Sequence, residues 1–277
     1  PAPLLSVRPS SLDPDWGGPG AILNIGMTDA RHAAMCAMLG EAVATQLYLR
    51  FIQSYATHVA RLDPEAFHLP ATADRGALNA MLRAYEAETD ETFPQDPAHQ
   101  LSEVLRSMAR AWEGTTARLL RQAKGAPRDA GLGLVVQAMA LGVGAGECGS
   151  GVIQFVDAQT GLPRVTGRYL SQSQGREALT AQGGALYLTR DPRGPSFEDQ
   201  CPAAFADLLR YGGMIRQRLR EEMQIEFTLD GGQLCILDGV RVQRSSRAAV
   251  RIAVALAQDG IIARDEADRI GRTIEAV

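Results

Sequence analysis

Apolar residues recur at helical spacing through the first half of the chain and at strand spacing through the second. Val43, Leu47, Phe51 and Tyr55 fall on one face of a helix, and Leu101, Val104, Leu105, Met108 and Trp112 form a second such stripe. Asp96-Pro97 starts that second helix, with a side-chain cap followed by a residue whose missing N–H costs nothing in the first turn. The pattern is helical from Asp29 to about Ala123. Before it, Leu4–Val7 predicts a short strand and Arg8–Gly20, rich in Pro, Ser, Asp and Gly, predicts a loop. Near Gly131 the period changes. Leu134–Met139, Val152–Val156 and Val165–Leu170 predict strands, and Ala203–Glu222 a helix with Phe205, Leu208, Leu209, Ile215 and Leu219 inward. Ile225–Leu229 and Leu234–Leu237 predict a hairpin about Asp230–Gly232, and two helices close the chain at Ser246–Gln258 and Arg264–Glu275. Helices followed by a sheet with flanking helices give an α+β class with a helical insert.

Composition narrows the functions. With 277 residues, 45% hydrophobic and 22% charged, the chain can bury a sizeable core. A net charge of −4 gives no basic field for nucleic acid, and no apolar run is long enough for a membrane span. Pro1–Asp15 carries no basic segment leading into an apolar core, so the reading is a cytoplasmic protein. Cys36, Cys148, Cys201 and Cys235 are widely spaced, which favours reduced thiols over a zinc site or disulfide framework. Lys124 is the single lysine among 28 basic residues, so chemistry that needs a lysine has one candidate.

Three patterns bear on chemistry. Gly144–Gly149 fits GxGxxG, but a β-rich run follows it instead of a helix, so it reads as a glycine turn between strands rather than a dinucleotide fingerprint. Such a turn can still offer its amides to phosphate. Glu226 and Asp238 flank the hairpin turn. With a three-residue turn, Asp238 is the diagonal neighbour of Glu226 on one face, where two carboxylates can hold Mg²⁺; a two-residue turn puts them on opposite faces and ends the metal reading. Alternation alone favours an ordinary solvated face. Arg8 and Arg50 are candidate phosphate clamps, in a chain where any one arginine is more often a surface residue.

Several stretches, in one order, resemble the pyruvate, phosphate dikinase family: Ser6-Val7-Arg8, Ala21–Asp29 (AILNIGMTD), Tyr48–Gln53 (YLRFIQ), Phe93–Leu101 (FPQDPAHQL) before Trp112, Val136–Met139 (VQAM), Gly149–Val152, Thr160-Gly161, Gly167–Leu170, Gln174-Gly175, Met223–Thr228 and Arg247–Ile262. The resemblance implies the family's ATP-grasp nucleotide-binding domain, which binds Mg-ATP and passes phosphoryl groups to a histidine on a separate swivelling domain that serves pyruvate on a barrel. It implies a partial first lobe in 1–27 and 114–165, a helical subdomain in 28–113 and a C-terminal lobe in 166–277. Carried over by position, it implies that Arg8 and Arg50 meet phosphate and that Gln137 and Met139 lie at the strand leading to the adenine hinge. It likewise implies that Gly149 and Gly151 belong to the glycine turn, and that Glu226 binds metal and ATP with Asp238 as a second ligand.

The departures from the family are Gln224 for an aspartate, Val240 for an arginine and Arg168 for a glutamate. The family's nucleotide-binding lysine segment, TSHAA phosphocarrier motif and barrel have no counterpart in this sequence, so the chain reads as truncated and divergent. The expected partners are therefore a nucleotide and separate chains carrying the histidine and the PEP/pyruvate barrel, with a homo-oligomer left open. The alternative is a catalytically degenerate relative acting as a binding or regulatory subunit.

Overall fold

A computed structural model describes residues 2–12, 16–174 and 183–275, the side chains of 273–275 excepted. Within the stretches compared above, Gly175 lies outside the described residues, as do residues 13–15 of the Arg8–Gly20 segment. The chain forms two units, Pro1–Met139 and Ala140–Val277.

In the first unit, β1 (Leu5–Ser10) lies between β2 (Ile22–Ile25) and β3 (Gly133–Ala138) in an antiparallel sheet. β1 runs three residues into the segment expected to be a loop, because Arg8, Pro9 and Ser10 pair with Val135, Leu134 and Gly133. The long helical pattern resolves into α1 (Asp29–Leu39), α2 (Glu41–Ser54), α3 (Arg75–Thr89), α4 (Pro97–Glu113) and α5 (Thr115–Ala123). Gly40, at φ 86°, breaks α1 from α2 in a conformation that a side chain would strain. Tyr48, Phe51, Tyr55, Tyr85 and Phe93 meet largely edge to face, with ring centroids 5.2–6.4 Å apart, and form the aromatic centre of this unit.

The stretches quoted above from this unit hold that centre in place. Thr28 caps α1, and Asp29 accepts a hydrogen bond from the Tyr48 hydroxyl at 2.9 Å. The Gln95 amide donates to the Tyr48 oxygen at 3.0 Å and its carbonyl accepts from the Asp29 N–H at 2.8 Å. Gln100, fully buried, accepts from the Gly26 N–H at 2.8 Å and donates to the Met27 and Pro94 carbonyls at 2.9 and 2.6 Å. Asp96 caps α4, with Pro97 at its first turn, as the spacing predicts.

The second unit is built on a five-stranded antiparallel sheet. Its strands are β4 (Gly149–Val156), β5 (Pro163–Ser171), β6 (Leu186–Tyr187), β7 (Met223–Asp230) and β8 (Gln233–Arg241), in the order β6-β5-β4-β7-β8. One face packs Ile153, Tyr169, Ile225, Phe227 and Leu229 against Phe197 of the single-turn α6 (Phe197–Gln200) and Phe205 and Leu208 of α7 (Pro202–Leu219). α7 stops three residues before the expected Glu222, because Arg220 turns left-handed at φ 56° and hands the chain to β7. Two helices, α8 (Ser246–Gln258) and α9 (Arg264–Glu275), close the chain around Val156, Val242, Ile252 and Leu256. Mixed helix and sheet agree with the α+β expectation.

Candidate functional site

The hairpin decides where the two candidate carboxylates sit, and its turn is shorter than expected. Gly231 and Gly232 both have positive φ, 58° and 84°, as a two-residue type I′ turn requires. Asp230 consequently pairs with Gln233 instead of entering the turn. In a regular ladder this would send Glu226 and Asp238 to opposite faces. The ladder is not regular. It runs Leu229↔Leu234, Thr228↔Cys235, Phe227↔Ile236 and then Glu226↔Asp238, so Leu237 is an extra residue in β8. This bulge shifts the register by one and brings the carboxylates directly opposite one another, closer than the diagonal relation expected from a three-residue turn.

The same row extends across the sheet. Val152 of β4 pairs with Glu226 on one side and with Arg168 of β5 on the other. One face thus carries Arg168, Val152, Glu226 and Asp238 in sequence, away from the Phe227 core. Glu226 is 6% exposed and Asp238 is open to solvent, with one of its oxygens accepting from the Gly239 N–H at 2.8 Å. Two further side chains of this face, Thr166 and Thr228, have buried hydroxyls that find no hydrogen-bond partner among the described residues. Thr228 is 1% exposed and lies two residues along β7 from Glu226. A hydroxyl buried in that way costs roughly 1–3 kcal/mol unless something bonds to it.

Among the described residues no group of three or more His, Cys, Asp and Glu could hold a metal ion. The facing pair Glu226 and Asp238 nevertheless suits Mg²⁺, which commonly takes one or two carboxylates and completes its shell with water and phosphate oxygens.

Gly149 and Gly151 lie in β4 itself, not in a turn. A Cβ on Gly151 would stand 2.4 Å from Phe227 Cζ and 2.8 Å from the Arg168 carbonyl; on Gly149 it would stand 2.4 Å from the Tyr169 hydroxyl. Both glycines therefore face the aromatic side of the sheet, where packing leaves no room for a methyl group. The glycine turn precedes them. It is tied to the hairpin by hydrogen bonds from Leu141 N–H to Asp230 and from Gly232 N–H to the Glu147 carbonyl, at 2.9 and 2.7 Å. Its Gly144 amide is taken by the Gln172 side chain at 2.9 Å. Beside it, burial pushes the Cys201 thiol up to about 11, with the nearby Glu147 carboxylate adding to the effect.

The remaining candidates belong to the first unit. Arg8 pairs with Val135 and Ser6 with Gln137 in the β1–β3 ladder, so Arg8 and Gln137 share one face of that sheet. Met139 follows β3 and donates its N–H to the Leu4 carbonyl at 2.8 Å. Arg50 is half-buried in α2. Within the first unit Arg8 shares a face with Gln137, and within the second Glu226 faces Asp238. Neither Arg168 nor Thr228 carries a site signal of its own in the sequence: the two-residue period puts Thr228 on the Glu226 face of β7, but Arg168 joins that face only through the pairing of β5 and β7 with β4.

No protein-family model matches the sequence. Among curated proteins, "Pyruvate, phosphate dikinase" of Rhizobium meliloti (strain 1021) is 28% identical over 288 residues, covering 95% of this chain and 32% of that protein. The enzyme of the same name from Clostridium symbiosum is 25% identical over 283 residues, covering 95% and 32%. "Pyruvate, phosphate dikinase 2" of Zea mays is 24% identical over 279 residues, covering 94% and 31%. The chain spans about a third of the length of these relatives. Over nearly its whole length, the chain is thus similar, at 24–28% identity, to about a third of each of these pyruvate, phosphate dikinases.

Proposed function

We propose that the chain is an ATP-grasp-like nucleotide-binding domain that binds Mg-ATP for phosphoryl transfer to a histidine carried by another domain or chain. In this reading Glu226 and Asp238 hold the magnesium ion on the polar face of the five-stranded sheet. Bound there, Mg²⁺ would neutralise phosphate charge as the phosphoryl group departs. The chain's own contribution is positional. β7 and β8 fix the two carboxylates on a rigid hairpin, and β4 and β5 continue the surface on which phosphates would lie. For the first unit we propose that Arg8 and Arg50 meet phosphate and that Gln137 and Met139 line the base. We likewise propose that Gly149 and Gly151 shape the strand beside the metal.

The observation that carries the reading is the bulge at Leu237. It sets two carboxylates face to face where an uninterrupted ladder would separate them. The similarity to pyruvate, phosphate dikinases, enzymes named for a phosphoryl reaction of pyruvate, supports the phosphoryl chemistry. Calorimetric titration with ATP in the presence and absence of Mg²⁺ tests it. The wild-type chain should bind ATP in a Mg²⁺-dependent manner, and Glu226→Ala should abolish that dependence. No heat and no thermal shift at millimolar Mg-ATP would sink the reading and favour a scaffold that has lost the ligand.

A further inference from the structure

On the Glu226 face, β4 separates two chemically opposite neighbours. Arg168 on β5 and Glu226 on β7 both pair with Val152, so their backbones lie about 9–10 Å apart across one intervening strand. Val152 between them is apolar and 3% exposed, so its side chain competes for no hydrogen bond. Two carboxylates alone repel phosphate; a metal on them and a guanidinium one strand away attract it from both ends. Thr228 lies two residues along β7 from Glu226 and Thr166 two residues along β5 from Arg168, on opposite sides of the row, and neither hydroxyl finds a partner among the described residues.

We propose that Arg168 is a phosphate-binding residue of this sheet face, and that it makes the site selective for polyphosphate-bearing ligands over those with a bare nucleoside. The proposal rests on the Mg-nucleotide reading for its metal, and on the cross-strand row for its position. Arg168 clamps the phosphate oxygens from β5 while the carboxylates of β7 and β8 hold the cation.

Calorimetry of the full chain and of Arg168→Ala, Arg168→Gln and Arg168→Lys separates the two ideas, with three probes: Mg-ATP, Mg-tripolyphosphate and adenosine. Thermal unfolding of each variant establishes that it is folded. Losing one charge-assisted contact should weaken Mg-ATP and Mg-tripolyphosphate about ten- to a hundredfold in the Ala and Gln variants. Adenosine binding should not change, and Lys should recover part of the loss. The proposal is overturned if folded Arg168→Ala binds Mg-ATP within twofold of wild type, or if ATP and adenosine weaken in equal proportion. Arg168-dependent binding of Mg-tripolyphosphate with no preference for ATP would support the anion site and refute the nucleotide reading. Mg-ATP binding indifferent to Arg168 would do the reverse, and binding of neither would end both.

Discussion

Replacing Gly151 by alanine tests whether the glycines of β4 are there for packing. The added methyl would meet Phe227 at 2.4 and 2.7 Å and the Arg168 carbonyl at 2.8 Å. Each contact is shorter than van der Waals separation, and one is to backbone. The Phe227 ring cannot easily retreat. It is fully buried, stacks on Tyr169 at 6.2 Å with an interplanar angle of 5°, and meets Phe197 at 5.5 Å. Overpacking a filled core costs typically 1–3 kcal/mol, and three simultaneous contacts place this site near the upper end. For a domain of this size that amounts to a fall in Tm of roughly 6–12 °C. Gly239→Ala is the control. Its Cβ would find only Met223 Cε at 3.8 Å, and its φ lies outside the left-handed range. It should unfold within about 2 °C of wild type, since strain-free changes of this kind stay within a fraction of a kcal/mol. Differential scanning calorimetry of the three proteins decides. A Gly151→Ala protein as stable as wild type would refute the packing argument and return the glycine to a role in ligand approach.

Two further substitutions probe the rest of the fold. Gln100→Ala should destabilise the first unit by roughly 2–4 kcal/mol, because the Gly26 N–H and the Met27 and Pro94 carbonyls lose their buried partner together; urea unfolding with Trp112 fluorescence checks this. Glu221→Gln should lose roughly 1–3 kcal/mol at pH 7, since Glu221 accepts two hydrogen bonds from Arg244, at 2.5 and 2.9 Å. Burial opposes ionisation of Glu221, but the Arg244 and Arg241 guanidinium groups outweigh it and hold its carboxyl below the ordinary 4.5. A depressed carboxylate stabilises above its unfolded pKa, so the gap between wild type and Glu221→Gln should close as pH falls through the folded value. A gap that persists in acid would contradict the assignment.

Much of this structure is legible in the sequence, and the illegible parts have physical causes. Asp96-Pro97 marks the start of α4 because capping is local chemistry. Strands β4, β5, β7 and β8 of the second unit follow from their apolar patterns, whereas the two-residue β6 leaves no such pattern. Turn length does not. Asp230-Gly231-Gly232 supports either a two- or a three-residue turn by composition, and the choice falls to the glycine conformations and to the hydrogen bonds that tie the turn to residues 141–148. The bulge at Leu237 is invisible to period-two arithmetic, since an inserted residue resets the count without altering composition. Sequence therefore puts Glu226 and Asp238 on one face through a three-residue turn, whereas the structure does so through a two-residue turn and a bulge. The resemblance puts Gly149 and Gly151 in a turn, whereas they lie in β4, and the contacts a side chain there would make with Phe227 and Tyr169 are tertiary and carry no local trace. Arg168 stood in plain view, but as a departure from a resembling sequence. Its place in the Glu226 row depends on pairing among three strands that no single segment specifies.

The most direct measurement is the position of the metal. A crystal structure of the chain with Mg²⁺ and a non-hydrolysable ATP analogue should place the ion between Glu226 and Asp238, about 2.0–2.1 Å from a carboxylate oxygen of each, with phosphate oxygens completing its shell. An ion bound elsewhere, or a nucleotide seated away from this sheet face, would contradict the account.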